Sequence, residues 1–506
     1  MSFYKFIQFL IKNKLIVYII FFISYFFSFY FDELIIKGLA IFFDNLFFIL
    51  FSFFLFYLLL DYKNSKRDII YISILFSTIN ALWIIFLFKY INFIYAFLGI
   101  ILSIFILFIF WFLKFIFLPF IFKVFIINNK MNSRFIGYFF ISIIYSIWWL
   151  IIEFIQYNLK DLDMSFAMIY FNQTSNYIFF LFYTIHPFVV SFIFVFLSSF
   201  LATLAFEVYY YKNQLKNFKF YIILFFIFYF FILLFNIFYF KNIEKHSLSK
   251  LEEKILKNNI NFILIQTEID AYFNKFNQRN YEELYNKLFK LNKNLNKDDS
   301  FFVVLIPEGA FPKNSYTLFY LQDNFNLNLK NVFKNYKFNA FIFNTIAIDD
   351  NQNIYNSIIC FDKSKDSFNF YLKRYLVPFG EYYPFWFLKL FGSLNIENLK
   401  YKSYTSGVNF KGNNYYFDIK DIKFKVLVCF ESFKYERKSK TNDIDFILVS
   451  SNDMWFKNLF MDNLHLKSIK ILSIYNLLPV VFNANGNKNG VLFIFNFHSL
   501  KGFIIF

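Results

Sequence analysis

A short run of apolar residues ends at a cysteine in the stretch FKVLVCFESF, residues 424–433. The residues before Cys429 are typical of a buried β-strand, and Glu431 follows two positions later. A thiol at the end of a strand can act as a nucleophile when a base and a cation lie nearby. A single cysteine on an apolar strand is more often an inert core residue, so this stretch alone leaves both interpretations open.

Two further residues offer the groups that a thiol nucleophile needs. Glu308 follows the apolar run SFFVVLIP, and Lys373 lies in FYLKRYLVPFGEYYP. Taken singly, they could be a turn carboxylate and a solvated loop cation. Together with Cys429 they supply the parts of an amide or acyl transfer. The carboxylate takes the thiol proton, the thiolate attacks a carbonyl, and the ammonium stabilises the oxyanion and helps to keep the carboxylate ionised.

The chain that must position these residues has two parts of different composition. Of its 506 residues, 59% are hydrophobic and 26% are aromatic, which exceeds the usual content of a soluble domain and indicates a membrane protein. The apolar surplus lies in residues 1–240, whereas residues 241–506 mix charged and amide side chains with short apolar runs. We predict a transmembrane domain at 1–240, a stalk at 241–258 and a polar domain at 259–506.

Composition also argues against several classes of function. The net charge of +17 is spread over both parts, and no basic helix with interleaved aromatic residues stands out, so nucleic acid is not an expected partner. The two cysteines, Cys360 and Cys429, cannot form a disulfide framework. The four histidines are widely scattered. We therefore expect neither a structural metal nor a cofactor.

About seven apolar blocks in the first part approach the roughly 20 residues that a helix needs to cross a bilayer. They lie near 15–31, 35–60, 69–88, 91–113, 135–157, 184–206 and 220–240. Asp44 and Glu153 are the ionisable residues within these blocks that invite a functional interpretation, because such groups are costly inside a membrane. A structural role near an interface is the alternative for both.

The charges between these blocks predict an orientation. With the N-terminus in the cytoplasm, the cytoplasmic segments carry thirteen Lys and Arg residues, whereas the opposite loops before the last block carry only Lys89 and Lys160. Cytoplasmic loops of membrane proteins are enriched in this way. An odd number of spans then places residues 241 onward outside the cytoplasm.

The second part alternates short apolar runs with polar, helix-like segments, which is typical of a layered α/β domain. Strands are predicted within 260–270, 300–312, 338–349, 353–363, 422–432, 444–453 and 479–486. Amphipathic or polar helices are predicted at 281–295 and 461–476. Glu308 and Cys429 each follow one of the predicted strands, so a fold of this class could bring them to one edge.

An ordered set of motifs in this part resembles the apolipoprotein N-acyltransferases, the membrane members of the nitrilase (carbon-nitrogen hydrolase) superfamily. The motifs are PEGAFP, YLKRYLVPFGEYYP, CFES and SSNDMWF. The segment LVPFGEYYP is the most specific of them, because ordinary soluble nitrilases lack it. The resemblance implies a multi-pass α-helical membrane domain followed by an extracytoplasmic nitrilase-like domain, an αββα sandwich.

The resemblance also implies roles for individual residues. Glu308 would be the general base, Lys373 the oxyanion-stabilising cation and Cys429 the nucleophile. The supporting residues would be Glu381, a second carboxylate ordering the lysine, Phe430 as a backbone oxyanion donor, Glu431 of the CFE motif, and Asn452, Asp453 and Trp455 of SSNDMWF.

The activity that the resemblance implies is N-acylation of the N-terminal diacylglyceryl cysteine of apolipoproteins. The acyl donor would be a phospholipid, with phosphatidylethanolamine expected, and the reaction would pass through a thioester on Cys429. The enzyme would lie in the bacterial cytoplasmic (inner) membrane with its catalytic domain on the periplasmic side. A membrane-tethered amidase or nitrilase with water as acceptor would use the same three residues, and a non-catalytic scaffold descended from the enzyme is a third interpretation.

The sequence departs from the family pattern at several positions. Ile306 and Gly309 flank the PE pair where Trp and Ser or Thr are usual, and Phe430 replaces the tyrosine of CYE. The Arg-Ala-x-Glu pattern and a later Arg are replaced by Leu472, Tyr475 and Phe482. The last stretch, LFIFNFHSLKGFIIF, is too short and too polar at Lys501 for a span, so the C-terminal membrane helix of the family is expected to be absent.

Overall fold

The structure is a computed structural model of the 506-residue chain. It describes residues 131–158, 169–174, 177–210, 215–269, 278–295, 300–311, 319–321, 327–378, 380–382, 385, 389, 404–435, 444–455, 459–487, 489–494 and 496–506. By its contacts the chain divides into two compact units, Met1–Tyr239 with Asn458–Lys467 and Phe240–Lys457 with Ser468–Phe506. The four predicted spans before residue 114, and Asp44, lie outside the described residues.

The described part of the first unit is helical. Its helices are α1 (Met131–Asn158), α2 (Phe180–Ile185), α3 (Pro187–Tyr210) and the first part of α4 (Leu215–Lys257). Three stretches, Ile136–Ile155, Pro187–Leu204 and Ile227–Lys257, are long and apolar enough to cross a membrane by length and composition. The first two overlap the predicted spans at 135–157 and 184–206, whereas the third overlaps the predicted span at 220–240 only from residue 227 and continues through the predicted stalk.

Polar side chains of the first unit bond within and between these helices. The Ser142 hydroxyl donates to the carbonyl of Tyr138 one turn earlier, and the Tyr138 hydroxyl donates to the carboxylate of Glu207 on α3. The buried Glu153 accepts a 3.0 Å hydrogen bond from the indole of Trp149. Buried polar groups need partners of this kind, and the choice between a structural and a functional role for Glu153 stays a prediction.

The predicted stalk is helical and continues the last apolar stretch. Helix α4 runs for 43 residues without interruption to Lys257, because the segment KNIEKHSLSKLEEKILK contains neither glycine nor proline. Two asparagines then end it. The Asn258 side chain donates to the carbonyl of Lys254, and Asn259 adopts a left-handed φ of 49°, which asparagine tolerates better than most residues.

The second unit contains a mixed sheet built around parallel strands. Its strands are β1 (Ile260–Leu264), β2 (Phe301–Leu305), β3 (Phe319–Tyr320), β4 (Ala340–Ile348), β5 (Ile354–Asp362), β6 (Ser367–Leu372) and β13 (Phe503–Ile505). The order is β13-β1-β2-β4-β5-β6, with β3 also paired to β4. Strands β13, β1, β2 and β4 are parallel, and β5 and β6 continue as antiparallel hairpins.

A second sheet is formed by the later strands of the same unit. These are β7 (Tyr416–Ile419), β8 (Ile422–Val428), β9 (Phe446–Asn452), β10 (Val480–Asn485), β11 (Gly490–Phe493) and β12 (Asn496–His498). They follow the order β12-β11-β10-β9-β8-β7. The parallel trio β8, β9 and β10 lies at its centre, and its strands are almost fully buried, as strands covered on both faces must be.

The two sheets pack face to face with helices outside them. Phe262 of β1 contacts Phe424 of β8 and Phe446 of β9, with ring centroids 6.3 and 5.5 Å apart. Helices α5 (Gln278–Asn294) and α6 (Leu327–Lys334) contribute apolar residues to the core on the outer face of the first sheet. The later half of α7 (Leu459–Asn476) meets the second sheet, where Ser473 accepts from the backbone N–H of Ile494. Helix, sheet, sheet and helix therefore follow in the predicted order.

Several described parts of the chain differ from their predicted structure. Strands β3, β6 and β7 and helix α6 form where no element was predicted. The strand predicted at 422–432 ends at Val428, and residues Cys429–Phe433 form a 3₁₀ helix. The closing stretch LFIFNFHSLKGFIIF, for which no element was predicted, contributes to strands β11, β12 and β13. Strand β13 pairs with β1, so its partner lies far away in the sequence and no local pattern indicates it.

Candidate functional site

Cys429 stands where strand β8 turns into a short helix. Its backbone has a φ of 47°, a left-handed conformation that is uncommon for residues other than glycine. At this residue the ladder of strand β8, which ends at Val428, gives way to the 3₁₀ helix Cys429–Phe433. Burial and the charge of Glu308 raise the pKa of the thiol, while the ammonium of Lys373 acts to lower it. The thiol is therefore neutral at rest and lies within electrostatic range of a carboxylate and a cation.

Glu308 lies in the turn after strand β2 and is almost fully buried. One carboxylate oxygen accepts from the side-chain amide of Asn356 at 2.8 Å, and the other accepts from the backbone N–H of Asn452 at 3.1 Å. The next residue, Gly309, has a φ of 77°. A Cβ atom there would lie 2.3 Å from the amide nitrogen of Asn452, so glycine allows this close approach.

Lys373 follows strand β6 and is the most deeply buried cation of the site, with 1% of its surface exposed. Its ammonium donates to Glu381 at 2.9 Å. The other oxygen of Glu381 accepts from the backbone N–H of Val377 at 2.8 Å. Burial alone would lower the pKa of Lys373, but the negative charges of Glu381 and Glu308 raise it above its ordinary value. The ammonium therefore stays charged.

Glu431, two residues after the thiol, organises the neighbouring backbone. Its buried carboxylate accepts four hydrogen bonds of 2.7–3.2 Å. The donors are the Tyr371 hydroxyl and the backbone N–H groups of Arg374, Tyr375 and Val428. Burial raises the pKa of this carboxyl, with Lys373 and the donors acting in the opposite direction. Glu431 thus ties the residues that follow Lys373 to the strand that ends at Cys429.

Asn452 is the last residue of β9 and joins Glu308 to the second sheet. Besides its backbone bond to Glu308, its side-chain oxygen accepts from the amide of Asn485 at 3.0 Å. Asn485 in turn accepts from the Thr267 hydroxyl at 2.9 Å, beyond strand β1. The ends of β1, β9 and β10 are therefore linked next to the carboxylate.

Ser451 and Asp453, on either side of Asn452, lie beside the thiol. The Ser451 hydroxyl donates to the buried carboxylate of Asp453, whose other oxygen accepts from Asn487 at 2.6 Å. A hydrogen bond between the side chains of Ser451 and Cys429 lowers the thiol pKa, and the charge of Asp453 raises it. Ser451 was not singled out in the sequence, although it belongs to the motif SSNDMWF.

Phe430 and Trp455 each lie in a short 3₁₀ helix, and the roles expected of them stay predictions. Phe430 follows the thiol directly in the 3₁₀ helix, and its buried ring packs against Phe433 with centroids 6.0 Å apart. Trp455 ends the 3₁₀ helix Asp453–Trp455.

Two buried asparagines that sequence analysis missed connect the carboxylates. Asn356 donates to Glu308 at 2.8 Å and to Glu381 at 2.7 Å, and its own oxygen accepts from Asn344 at 2.6 Å. Both lie in the apolar strands β4 and β5. Asparagine is disfavoured in strand interiors. Its presence within the apolar runs FNAFIFNTIAID and NIYNSIICFD was therefore the sequence feature that could have indicated a special role.

Among the described residues, no three or more His, Cys, Asp and Glu side chains are grouped so that they could hold a metal ion. The site that they form instead combines a thiol, an ammonium and several carboxylates held by amide donors. These are the types of group that general base catalysis and charge stabilisation require.

Comparison with known proteins gives matches over part of the chain. No family model matches. A protein of Aquifex aeolicus is 29% identical over 218 residues, which are 43% of this chain and 46% of that protein. Its name is apolipoprotein N-acyltransferase. The chain is similar to proteins of that name.

Other curated relatives carry the same name. The protein of Pasteurella multocida is 29% identical over 218 residues, covering 40% of this chain and 38% of the relative. The protein of Helicobacter hepaticus is 31% identical over 161 residues, covering 31% and 36%. The matched stretch is thus less than half the length of each of these relatives. The resemblance to apolipoprotein N-acyltransferases predicted from the motifs is confirmed.

Solved structures match at a lower level. A Nesterenkonia AN1 amidase from the nitrilase superfamily aligns with a TM-score of 0.27 at 10% identity, covering 47% of this chain and 84% of that chain. An N-terminal amidase aligns with a TM-score of 0.24 at 14% identity, covering 38% and 47%.

Proposed function

We propose that this protein is a membrane acyltransferase that moves an acyl chain from a phospholipid to the α-amine of the N-terminal diacylglyceryl cysteine of apolipoproteins. The observation that carries the proposal is the hydrogen-bonded network around the strand end at Cys429. Glu431 bonds to the backbone of Val428, before the thiol, and of Arg374, after Lys373. Asn356 links Glu308 to Glu381, the ion-pair partner of the buried Lys373. The similarity to proteins named apolipoprotein N-acyltransferase supports the substrate class.

The first step forms a thioester. Glu308 takes the proton from Cys429, and the sulfur attacks the ester carbonyl of the phospholipid. The carbon-oxygen bond then breaks, and Glu308 returns the proton to the leaving alkoxide, so a lysophospholipid departs as the alcohol. A base that acts in this way must be ionised and hydrogen-bonded in place, and Glu308 is held by two donors.

The tetrahedral intermediate carries a negative charge that needs stabilisation. Lys373 would supply a fixed positive charge, because the carboxylates around it keep its ammonium protonated despite complete burial. The backbone N–H of Phe430 would be the second donor. Charges and dipoles that are already oriented stabilise such an intermediate without further reorganisation. In this proposal Glu381 orders the lysine, and Glu431 holds the backbone N–H groups of the two residues that follow it.

The second step transfers the acyl group from the thioester to an amine. The α-amine of the lipoprotein attacks the thioester carbonyl, Glu308 accepts a proton from the nitrogen, and the carbon-sulfur bond breaks. The proton passes to the sulfur, so Cys429 is again a thiol. An amide is more stable than a thioester, and the step is therefore downhill without any further co-reactant. Asn452 and Trp455 would help to shape the acyl pocket.

The proposed location follows from the substrates. Both are lipids, so the reaction belongs at a bilayer, and three described stretches are long and apolar enough to cross one. The excess of Lys and Arg in the predicted cytoplasmic loops favours a bacterial cytoplasmic membrane with the catalytic domain on the periplasmic side.

Trapping of the acyl-enzyme tests the proposal. The full chain in detergent would be incubated with phosphatidylethanolamine carrying a labelled acyl chain and then analysed for covalent label that hydroxylamine releases. Wild type and Cys360→Ala should both be labelled, whereas Cys429→Ala should not. Label on Cys429→Ala would refute the assignment of the nucleophile. Rescue of a bacterium depleted of its own apolipoprotein N-acyltransferase would then test the acceptor.

A further inference from the structure

The side chain of Asn356 makes contact with both carboxylates of the site. It lies in the middle part of strand β5, is 3% exposed, and its amide nitrogen is 2.8 Å from Glu308 and 2.7 Å from Glu381. An amide group has two hydrogens, so each carboxylate receives one. Its backbone carbonyl also accepts from the N–H of Lys373 at 2.8 Å. Asn356 therefore contacts the proposed base Glu308, the second carboxylate Glu381 and the backbone of Lys373.

The orientation of this amide is fixed from behind. The amide nitrogen of Asn344 donates to the side-chain oxygen of Asn356 at 2.6 Å and to the carbonyl of Ser357 at 2.8 Å. The oxygen of Asn344 accepts from the N–H of Gly309 at 3.4 Å. Backbone groups thus set which end of Asn344 is the donor, and Asn344 sets which end of Asn356 is the donor. A reversed Asn356 would turn its oxygen toward two carboxylates.

Without this residue the two carboxylates would lack a shared donor. Lys373 donates to Glu381 at 2.9 Å, and Glu308 would keep the backbone donor at Asn452. A hydrogen bond to a carboxylate favours its ionised form and restricts its position. Losing this bond would leave a buried carboxylate under-bonded, which makes the ionised base less favourable.

We propose that Asn356 is a positioning residue that orients the carboxylate of Glu308 toward Cys429, and that Asn344 fixes the orientation of Asn356. The inference rests on the proposed function in one respect, the use of Glu308 as the base. It adds that the base is kept ionised and aligned by an amide relay that begins at the backbone of Gly309 and Ser357. Asn356 itself does not touch the reacting atoms.

The test measures the reactivity of Cys429 in the full chain, with Cys360→Ala as the background so that a single thiol remains. The rate of alkylation by iodoacetamide would be followed from pH 5 to pH 10 for Asn356→Leu, which has a similar size but no donor. We expect alkylation at neutral pH to slow by roughly tenfold or more, because a bond to a charged group is lost. The acid limb of the profile should move to higher pH.

The matched control is Asn353→Leu. This asparagine precedes the same strand, and its side chain bonds to Asp349 at 2.9 Å in the hairpin turn rather than at the site. Its profile should equal that of the background. Should Asn356→Leu fail to fold, Asn356→Asp keeps the shape and also lacks the donor when ionised. An acid limb at the wild-type position in a folded Asn356 variant would overturn the inference.

The readout separates this inference from the proposed function, since iodoacetamide needs no lipid. If wild type is alkylated but never acylated by phospholipid, the acyltransferase proposal fails and the shifted profile still supports the relay. If wild type is acylated and the Asn356 variants keep its alkylation profile, the relay is wrong and the acyltransferase proposal stands.

Discussion

Cys360 and Cys429 lie in similar chemical surroundings but at different points of their strands. Cys360 sits inside β5, paired with Ile342 on one side and Asn369 on the other. Burial and the charge of Asp362 raise its pKa, and Lys365 acts to lower it. Burial and a carboxylate raise the pKa of Cys429 as well, and a lysine opposes them. A thiol pKa by itself therefore does not separate the two.

The difference lies in the cations and in the backbone. Lys365 is 58% exposed and lies 3.6 Å from Asp362, whereas Lys373 is 1% exposed and lies 2.9 Å from Glu381. Water screens the first pair and not the second. Cys360 lies within a regular ladder, whereas Cys429 has a left-handed backbone and comes directly after the last residue of strand β8. Position at a strand end and a buried charge distinguish the candidate nucleophile from the core thiol.

Exchanging the two lysines for methionine should give the largest contrast. For Lys373→Met we expect acyl-enzyme formation to fall by about 10²–10³-fold, because an oxyanion-stabilising charge is removed. The free energy of unfolding should fall by about 3–5 kcal/mol, since a buried carboxylate loses its partner. Labelling kinetics and urea unfolding of the detergent-solubilised chain measure the two effects.

Lys365→Met is the matched control for that exchange. Its exposed ion pair contributes about 0–1 kcal/mol, and labelling should be unchanged. Equal losses in the two variants would contradict the distinction between a screened and a buried cation.

Substitution of two glycines should give an intermediate effect. Gly309→Ala places a Cβ 2.3 Å from the Asn452 amide at a φ of 77°, so we expect unfolding to become easier by about 2–4 kcal/mol, from strain and overpacking together. Labelling should also slow, because Asn452 donates to Glu308. Thermal unfolding and acyl-enzyme kinetics report both.

Gly412 supplies the comparison, with a φ of 93° and no atom within 4 Å of the added Cβ. Gly412→Ala should show backbone strain alone, about 1 kcal/mol, and normal labelling. If the two alanine variants lose the same free energy of unfolding and are labelled at the same rate, the close approach of Asn452 to Gly309 does not contribute to stability.

The smallest predicted effect is a change in how stability depends on pH. Each buried thiol stays protonated in the folded chain above its ordinary pKa of 9.0, whereas the unfolded chain releases that proton. Unfolding then releases protons, so the free energy of unfolding falls as the pH rises. One thiol contributes a slope of up to about 1.4 kcal/mol per pH unit.

Cys360→Ala and Cys429→Ala should each remove one such contribution between pH 9 and pH 10, as measured by urea unfolding. Only Cys429→Ala should abolish labelling. If Cys360→Ala loses its contribution to the pH dependence of stability but is still labelled, a raised thiol pKa does not by itself identify the nucleophile. An unchanged slope in both would mean that the thiols ionise in the folded chain.

Three strands of the second unit were predictable because each carries its own signal. The runs around β4, β5 and β9 are apolar and bounded by turn residues, and the structure has strands within all three predicted ranges. The positions of Glu308 and Cys429 after such runs also followed from the sequence. Their neighbours in space did not, because the pairing of strands depends on contacts between distant segments.

The hydrogen bonds of Asn356 and Glu431 could not be predicted from local sequence patterns. Asn356 bonds to residues 48 and 25 positions away, and the carboxylate of Glu431 bonds to backbone up to 57 positions earlier. Sequence similarity suggested that Glu431 matters but not that it ties two segments together. The sequence predicts that the strand continues through the 3₁₀ turn at Cys429, because the apolar residues there have the same β-propensity as the strand before them.

The pairing of β1 with β13 has a consequence for biosynthesis. Leu264 lies beside Ile505, so the chain must be extended by about 240 residues before β1 acquires this neighbour. At a translation rate of roughly 5–20 residues per second, this edge of β1 stays without its partner strand for about 10–50 s. An apolar strand with open backbone groups is prone to wrong pairing during such a delay. Nascent chains that stop short of β13 should therefore aggregate or require a chaperone, while complete chains do not.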